Sequence, residues 1–172
     1  FAVVRSRPLL LPRFFVRSFA STVIGQESAG SLPDFVFTLL GLSVLALYAL
    51  AFWRAAKLIE KERSMFPLCL IGSGFLNHMM VTASRWIFLR ENYGMSSRYA
   101  LQYQVGMLGL LLIFFLSARE SGIKRARRLA YGALLLFCLG NVLTTAHEIH
   151  MAPYRKENFV AMREVARNYA AE

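Results

Sequence analysis

Four apolar runs, separated by short stretches that hold most of the charged residues, organise the chain. The first opens at Ser31-Leu32-Pro33-Asp34, where a proline and an acid suit a helix start, and continues over about residues 35–53. The others cover about residues 66–89, 100–118 and 129–149. Each is close to the roughly 20 residues that a helix needs to cross a bilayer core about 30 Å thick. In lipid a backbone must satisfy its own polar groups, which leaves helices as the expected form. The expected fold is therefore all-α: a polytopic membrane helix bundle of about four transmembrane helices within residues 35–151, followed by a C-terminal amphipathic helix over 152–172. In that tail Phe159, Met162, Ala166 and Tyr169 share one helical face, with Arg163, Glu164 and Arg167 around the rest. Packing on another part of a longer protein is its favoured use, ahead of lying on the membrane surface.

Composition agrees with a membrane location. With 172 residues, 56% of them hydrophobic, and a mean hydropathy of +0.44, the chain is too apolar for an ordinary soluble domain. The net charge of +10 is concentrated in the connections, where Lys and Arg set orientation and meet lipid headgroups. Nucleic acid is excluded as a partner because no soluble module combining basic and aromatic residues is present. Arg54, Lys57, Lys61 and Arg63 after the first run, and Arg119, Lys124, Arg125, Arg127 and Arg128 after the third, place those two connections in the cytoplasm. Residues 1–34, residues 91–98 and the tail then face the opposite side, although the arginines at both ends of the chain argue the other way. Cys69 and Cys138 each fall inside an apolar run, where a thiol behaves as a small buried hydrophobe, and form no disulfide framework or zinc motif.

Residues 1–34 read as a basic connecting or interfacial segment. Arg5, Arg7, Arg13 and Arg17, several serines and no acid before Glu27 imitate a mitochondrial transit peptide. Pro8, Pro12 and the arginines break any apolar run long enough to span, which favours the connecting role.

Polar residues inside the runs are the candidates for chemistry. On the second run Gly74, His78 and Arg85 share a helical face, broadened by Ser73, Asn77 and Ser84. A hydrogen-bonded structural histidine is the favoured role of His78. On the third, Arg98, Gln102, Gly106 and Gly109 form a stripe, polar above and lined with glycine below for close helix packing. On the fourth, Asn141, Thr144 or Thr145, and Glu148 form another, with His147 and His150 at the same membrane face. The outer ends thus outline a polar cup whose expected substrate-binding members are Arg85, Arg98, Tyr99, Gln102, His147 and Glu148. The competing explanations are an Arg98 that snorkels to headgroups and a structural salt bridge from Glu148 to an arginine. His147-Glu148-Ile149-His150 lacks the zincin spacing and a third ligand, and His78 lies too deep to join it, so no metal, haem or other cofactor is expected. No nucleophile motif, phosphate-binding glycine loop or pair of acids on one face occurs, and no catalytic residue is assigned.

Tyr93-Gly94-Met95-Ser96-Ser97-Arg98-Tyr99, followed by Gln102-Tyr103-Gln104, Gly106 and Gly109, resembles a group of uncharacterised polytopic bacterial inner-membrane proteins. Some of these look associated with cell-surface polysaccharide assembly. The resemblance covers mainly residues 65–160, including Ala152-Pro153-Tyr154-Arg155-Lys156. It implies a bacterial inner membrane, a C-terminal fragment of a longer protein, and an anionic lipid-linked glycan or similar envelope substrate in the outward cup. The alternatives are a non-catalytic membrane subunit or scaffold, including one of the mitochondrial inner membrane, and a metal- or haem-binding anchor. Membrane lipids, a lipid-linked glycan and other subunits or missing helices of the same protein are the expected partners.

Overall fold

The computed structural model describes residues 8–26, 32–62, 64–85, 95, 99–121 and 124–169, and these form helices and their connections. In chain order the helices are α1 (Leu10–Ala20), α2 (Asp34–Glu62), α3 (Phe66–Arg85), α4 (Ala100–Ser121) and α5 (Lys124–Tyr169). Stretches long and apolar enough to cross a membrane occur in α2 (Asp34–Ile59), α3 (Phe66–Arg85), α4 (Gln102–Arg119) and α5 (Arg127–Tyr154). The protein is an all-helical membrane-spanning bundle.

Local chemistry explains the helix starts. The turn into α2 is closed by Val36 N–H donating to the Pro33 carbonyl at 3.0 Å, and Asp34 places a carboxylate on the positive end of the helix dipole. At α3, Phe66 N–H donates to Ser64 Oγ at 3.4 Å, and the Met65 carbonyl accepts the first helical bond from Cys69 at 2.9 Å. Within α2, Thr38 and Ser43 return their hydroxyl protons to the carbonyls of Asp34 and Leu39, which satisfies both donors on the outer surface. Helix α5 continues without a break from the fourth apolar run through the amphipathic tail, with Pro153 inside it. That proline leaves the Ile149 carbonyl without its helical donor at the point where the apolar stretch ends.

The packing is inside out relative to a soluble bundle. Large apolar side chains such as Phe35, Leu76, Met80, Leu135 and Val142 are exposed, as a lipid-facing surface requires. Cys69 and Cys138 belong to this outer surface, a correction to their expected burial: an apolar run fixes membrane depth but not the face on which each residue stands. Inside, α3 lies along α4, α4 along α5, and α1 along α2, with the core built from Phe19, Val44, Tyr48, Ile71, Leu110, Ile113 and Phe137 and the small residues Ala51, Ala130 and Ala133. Small residues let helices approach closely where hydrophobicity alone cannot drive association.

The N-terminal segment departs most from the sequence reading. Helix α1 and the turn after it lie in the bundle, with Phe14, Ser18, Phe19 and Ala20 fully buried and Arg17, Ser21, Thr22, Val23 and Ile24 nearly so. Phe14 packs with Val81 and Tyr103 near the end of α3 and the start of α4. Ala20 and Ile24 pack with Phe37 and Met95, near the start of α2. Between these flanks Phe19 reaches inward to Tyr48 and Phe75. The segment is re-entrant in that both its described ends lie toward the face where α2 begins, and such backbone is tolerated at membrane depth where protein surrounds it. Several of its polar groups are met within the segment or by α2: Thr22 Oγ1 donates to the Phe19 carbonyl at 2.8 Å, Val23 and Ile24 N–H groups donate to Ala20, and Arg17 Nη2 lies 3.3 Å from Asp34 Oδ2.

Candidate functional site

His78 is the polar centre of the bundle and is fully buried. Its imidazole is stacked on Phe19, with centroids 4.0 Å apart and planes at 23°, and on Tyr103, at 3.8 Å and 13°. Two rings that close and that parallel must occupy opposite faces, so the histidine is sandwiched between α1 and α4. Tyr48 meets it edge-on, at 6.2 Å and 90°. Ser18 Oγ lies 3.1 Å from His78 Nδ1 and 2.7 Å from the Phe15 carbonyl. The single hydroxyl proton of Ser18 goes to that carbonyl, so the serine oxygen accepts from Nδ1–H, which leaves Nε2 as an acceptor. Among the described residues His78 Nε2, Tyr48 Oη and Thr82 Oγ1 are buried without a hydrogen-bond partner. A sandwiched, fully enclosed imidazole is a packing element of α1, α3 and α4.

Glycines bring the walls of this centre together. A Cβ on Gly74 would strike the Cα of Gly106, and one on Gly106 would strike Tyr48 Oη and the Cα of Gly74. Gly109 meets the Ile71 backbone and the side chains of Ile71 and Leu70 in the same way. The close-packing role expected of Gly106 and Gly109 is what the α3–α4 contact shows. Gly41 and Gly140 admit the carbonyls of Val16 and Val23, and so receive the re-entrant segment on α2 and α5. Thr144 completes that seat by accepting from Gly25 N–H at 3.0 Å while donating to the Gly140 carbonyl at 2.9 Å.

Of the expected cup residues, Arg85 ends α3, Tyr99 and Gln102 stand at the start of α4, and His147 and Glu148 lie near the end of the apolar stretch of α5. Asn77 Nδ2 donates to the Gln102 carbonyl at 3.2 Å, and Gln104 Nε2 donates to Asn141 Oδ1 at 3.2 Å, which holds the three helices in register. Counting about 1.5 Å per residue outward from these ties, Tyr99, Glu148 and Arg85 come at the same membrane face, with Arg85 about one turn farther out. Arg85, Tyr99, His147 and Glu148 are half-buried, and Arg85 and Glu148 each engage a neighbouring group. Gln102 has its side chain exposed, and the adjacent Tyr103 takes the interior position. Arg98 lies outside the described residues. Ser73 and Ser84, placed by spacing on the His78 face, are exposed, and Ser84 Oγ donates to the Val81 carbonyl at 3.3 Å. Among the described residues no group of three or more His, Cys, Asp or Glu side chains is placed to hold a metal ion.

Sequence reasoning missed Phe19, Ser18 and Tyr48 as partners of His78. The available signal was the spacing of Leu10, Phe14, Arg17 and Ser18, one helical face whose members are all buried. No family profile, curated protein or solved structure matches this chain.

Proposed function

We propose that the protein is a multi-span envelope protein of the bacterial inner membrane that binds an anionic, lipid-linked glycan or a similar substrate at the outward ends of α3, α4 and the apolar stretch of α5. The observation that carries this reading is the register set by the Asn77–Gln102 and Gln104–Asn141 ties, which brings Arg85, Tyr99, His147 and Glu148 to one membrane face. A guanidinium fork suits phosphate oxygens, and tyrosine suits sugar hydroxyls. Arg98 joins them on its sequence position. The test is binding of a polyprenyl phosphate and of the matching polyprenol to the purified protein in nanodiscs. The phosphate should bind at least about tenfold more tightly, and Arg85→Gln and Arg98→Gln should each remove most of that preference. Equal binding of the two lipids defeats the proposal.

A second reading, a non-catalytic membrane subunit or scaffold of the bacterial or mitochondrial inner membrane, is favoured by the far end of α5. There Phe159, Met162 and Val165 are exposed on a helix that extends beyond the bundle. It predicts that the chain purified alone is heterogeneous in size and unfolds readily. A monodisperse, stable monomer counts against it.

A further inference from the structure

We infer that the groove between α1 and the first turns of α2 is a binding site for an anionic glycerophospholipid, its phosphodiester held by Arg13 and Arg17 and an acyl chain lying along Phe35, Leu39 and Leu42. The groove is open and has a volume of about 510 Å³. It stands on different helices from the proposed cup and does not depend on it.

Two stripes build the groove. Arg13 and Arg17 are one helical turn apart on α1, and Phe35, Leu39 and Leu42 follow one another at spacings of four and three residues on α2. The apolar stripe is open to its surroundings, Phe35 being 68% and Leu39 61% exposed, and it begins with the membrane-spanning stretch at Asp34. The Arg17 guanidinium reaches Asp34, where the apolar stretch begins, and Leu39 and Leu42 follow along α2, which is the order of charge and hydrocarbon along a phospholipid. A free phosphate would have no use for the apolar floor.

The charge pattern selects among lipids. Of the charged groups lining the groove, two are guanidinium ions and one is a carboxylate, which matches a single negative charge. The Arg17 side chain is only 7% exposed and is held by Asp34, so one of the two forks is fixed before a lipid arrives. Ordering it in advance lowers the entropic cost of binding. Arg13 is exposed and supplies the second fork from the outer side.

The test is native mass spectrometry of the full chain in detergent with short-chain phosphatidylglycerol, phosphatidylethanolamine and phosphatidylcholine of equal chain length, and with glycerol 3-phosphate as competitor. Phosphatidylglycerol should be retained about fivefold more than either zwitterionic lipid. Arg13→Gln should abolish that preference, Arg13→Lys should keep part of it, and Leu39→Gln should weaken all three lipids together. Arg163→Gln, on the distant tail, should leave it unchanged. Equal retention of the three lipids, stronger retention of phosphatidylethanolamine, displacement by glycerol 3-phosphate at lipid concentrations, or an undiminished preference in Arg13→Gln each overturns the site. Polyprenyl phosphate binding by Arg13→Gln reports on the cup separately, so failure of one site is distinguishable from failure of the other.

Discussion

Ser18 Oγ and His78 Nδ1 lie 3.1 Å apart across sixty residues of sequence, joining the re-entrant helix α1 to α3. Removing the hydroxyl leaves a buried imidazole N–H without an acceptor, at a cost of about 1–3 kcal/mol. Ser18→Ala should therefore lower the midpoint of thermal unfolding in micelles measurably. His78→Ala should cost more, about 3–5 kcal/mol, because it also empties the space between Phe19 and Tyr103. His78→Phe, which keeps two stacked faces and needs no acceptor, should lose less than half as much. Equal losses for the Ala and Phe variants would show that stacking contributes nothing.

The glycines divide into two classes with opposite expected responses. At Gly106 a methyl group meets Tyr48 Oη and the Gly74 backbone, whereas nothing lies within 4 Å of a methyl group at Gly72 or Gly132. Gly106→Ala should destabilise by at least about 2 kcal/mol through overpacking. Gly72→Ala and Gly132→Ala should be neutral or gain up to about 1 kcal/mol from helix propensity. Tyr48→Phe should partly rescue Gly106→Ala, since it removes the nearest atom but not the Gly74 backbone. Unfolding midpoints of the four variants decide the point.

The apolar runs made the four spans legible because hydrocarbon admits only apolar helices of one approximate length, and Gly106 and Gly109 were legible because close approach has few other solutions. Helix α1 was hidden by the same rule applied too widely. Arg13, Arg17 and Pro12 are costly against lipid, but α1 packs on α2, on α3 and, through Phe14, on Tyr103 of α4, and Arg17 meets Asp34 while Ser21 and Thr22 close the last turn internally. Which face of a span points inward was likewise not fixed by hydropathy, as the exposed thiols of Cys69 and Cys138 and the exposed side chain of Gln102 show.

The Gln104–Asn141 pair should contribute modestly. Asn141 Nδ2 also donates to the Phe137 carbonyl at 2.8 Å, so the asparagine retains a partner when Gln104 is shortened. A double-mutant cycle with Gln104→Ala and Asn141→Ala should give a coupling of about 0.6 kcal/mol, the usual size for hydrogen bonds between membrane helices. A coupling near zero would remove the support for a fixed α4–α5 register.

Sidedness is the last prediction, because loop charge and tail charge oppose each other. Four crossings place Ser64, between α2 and α3, on the opposite face from the tail that continues α5 beyond Tyr154. The basic connections predict Ser64 in the cytoplasm and the tail outside, since short hairpin loops outweigh terminal segments in setting orientation. The outward-facing thiols of Cys69 and Cys138 permit a background with both replaced by alanine, in which Ser64→Cys and Ala161→Cys are compared. A membrane-impermeant maleimide added to intact cells should label the Ala161→Cys variant at once and the Ser64→Cys variant only after permeabilisation. The reverse pattern would turn the cup and the α1–α2 groove to the cytoplasm, and labelling of both from one side would mean that one helix does not cross.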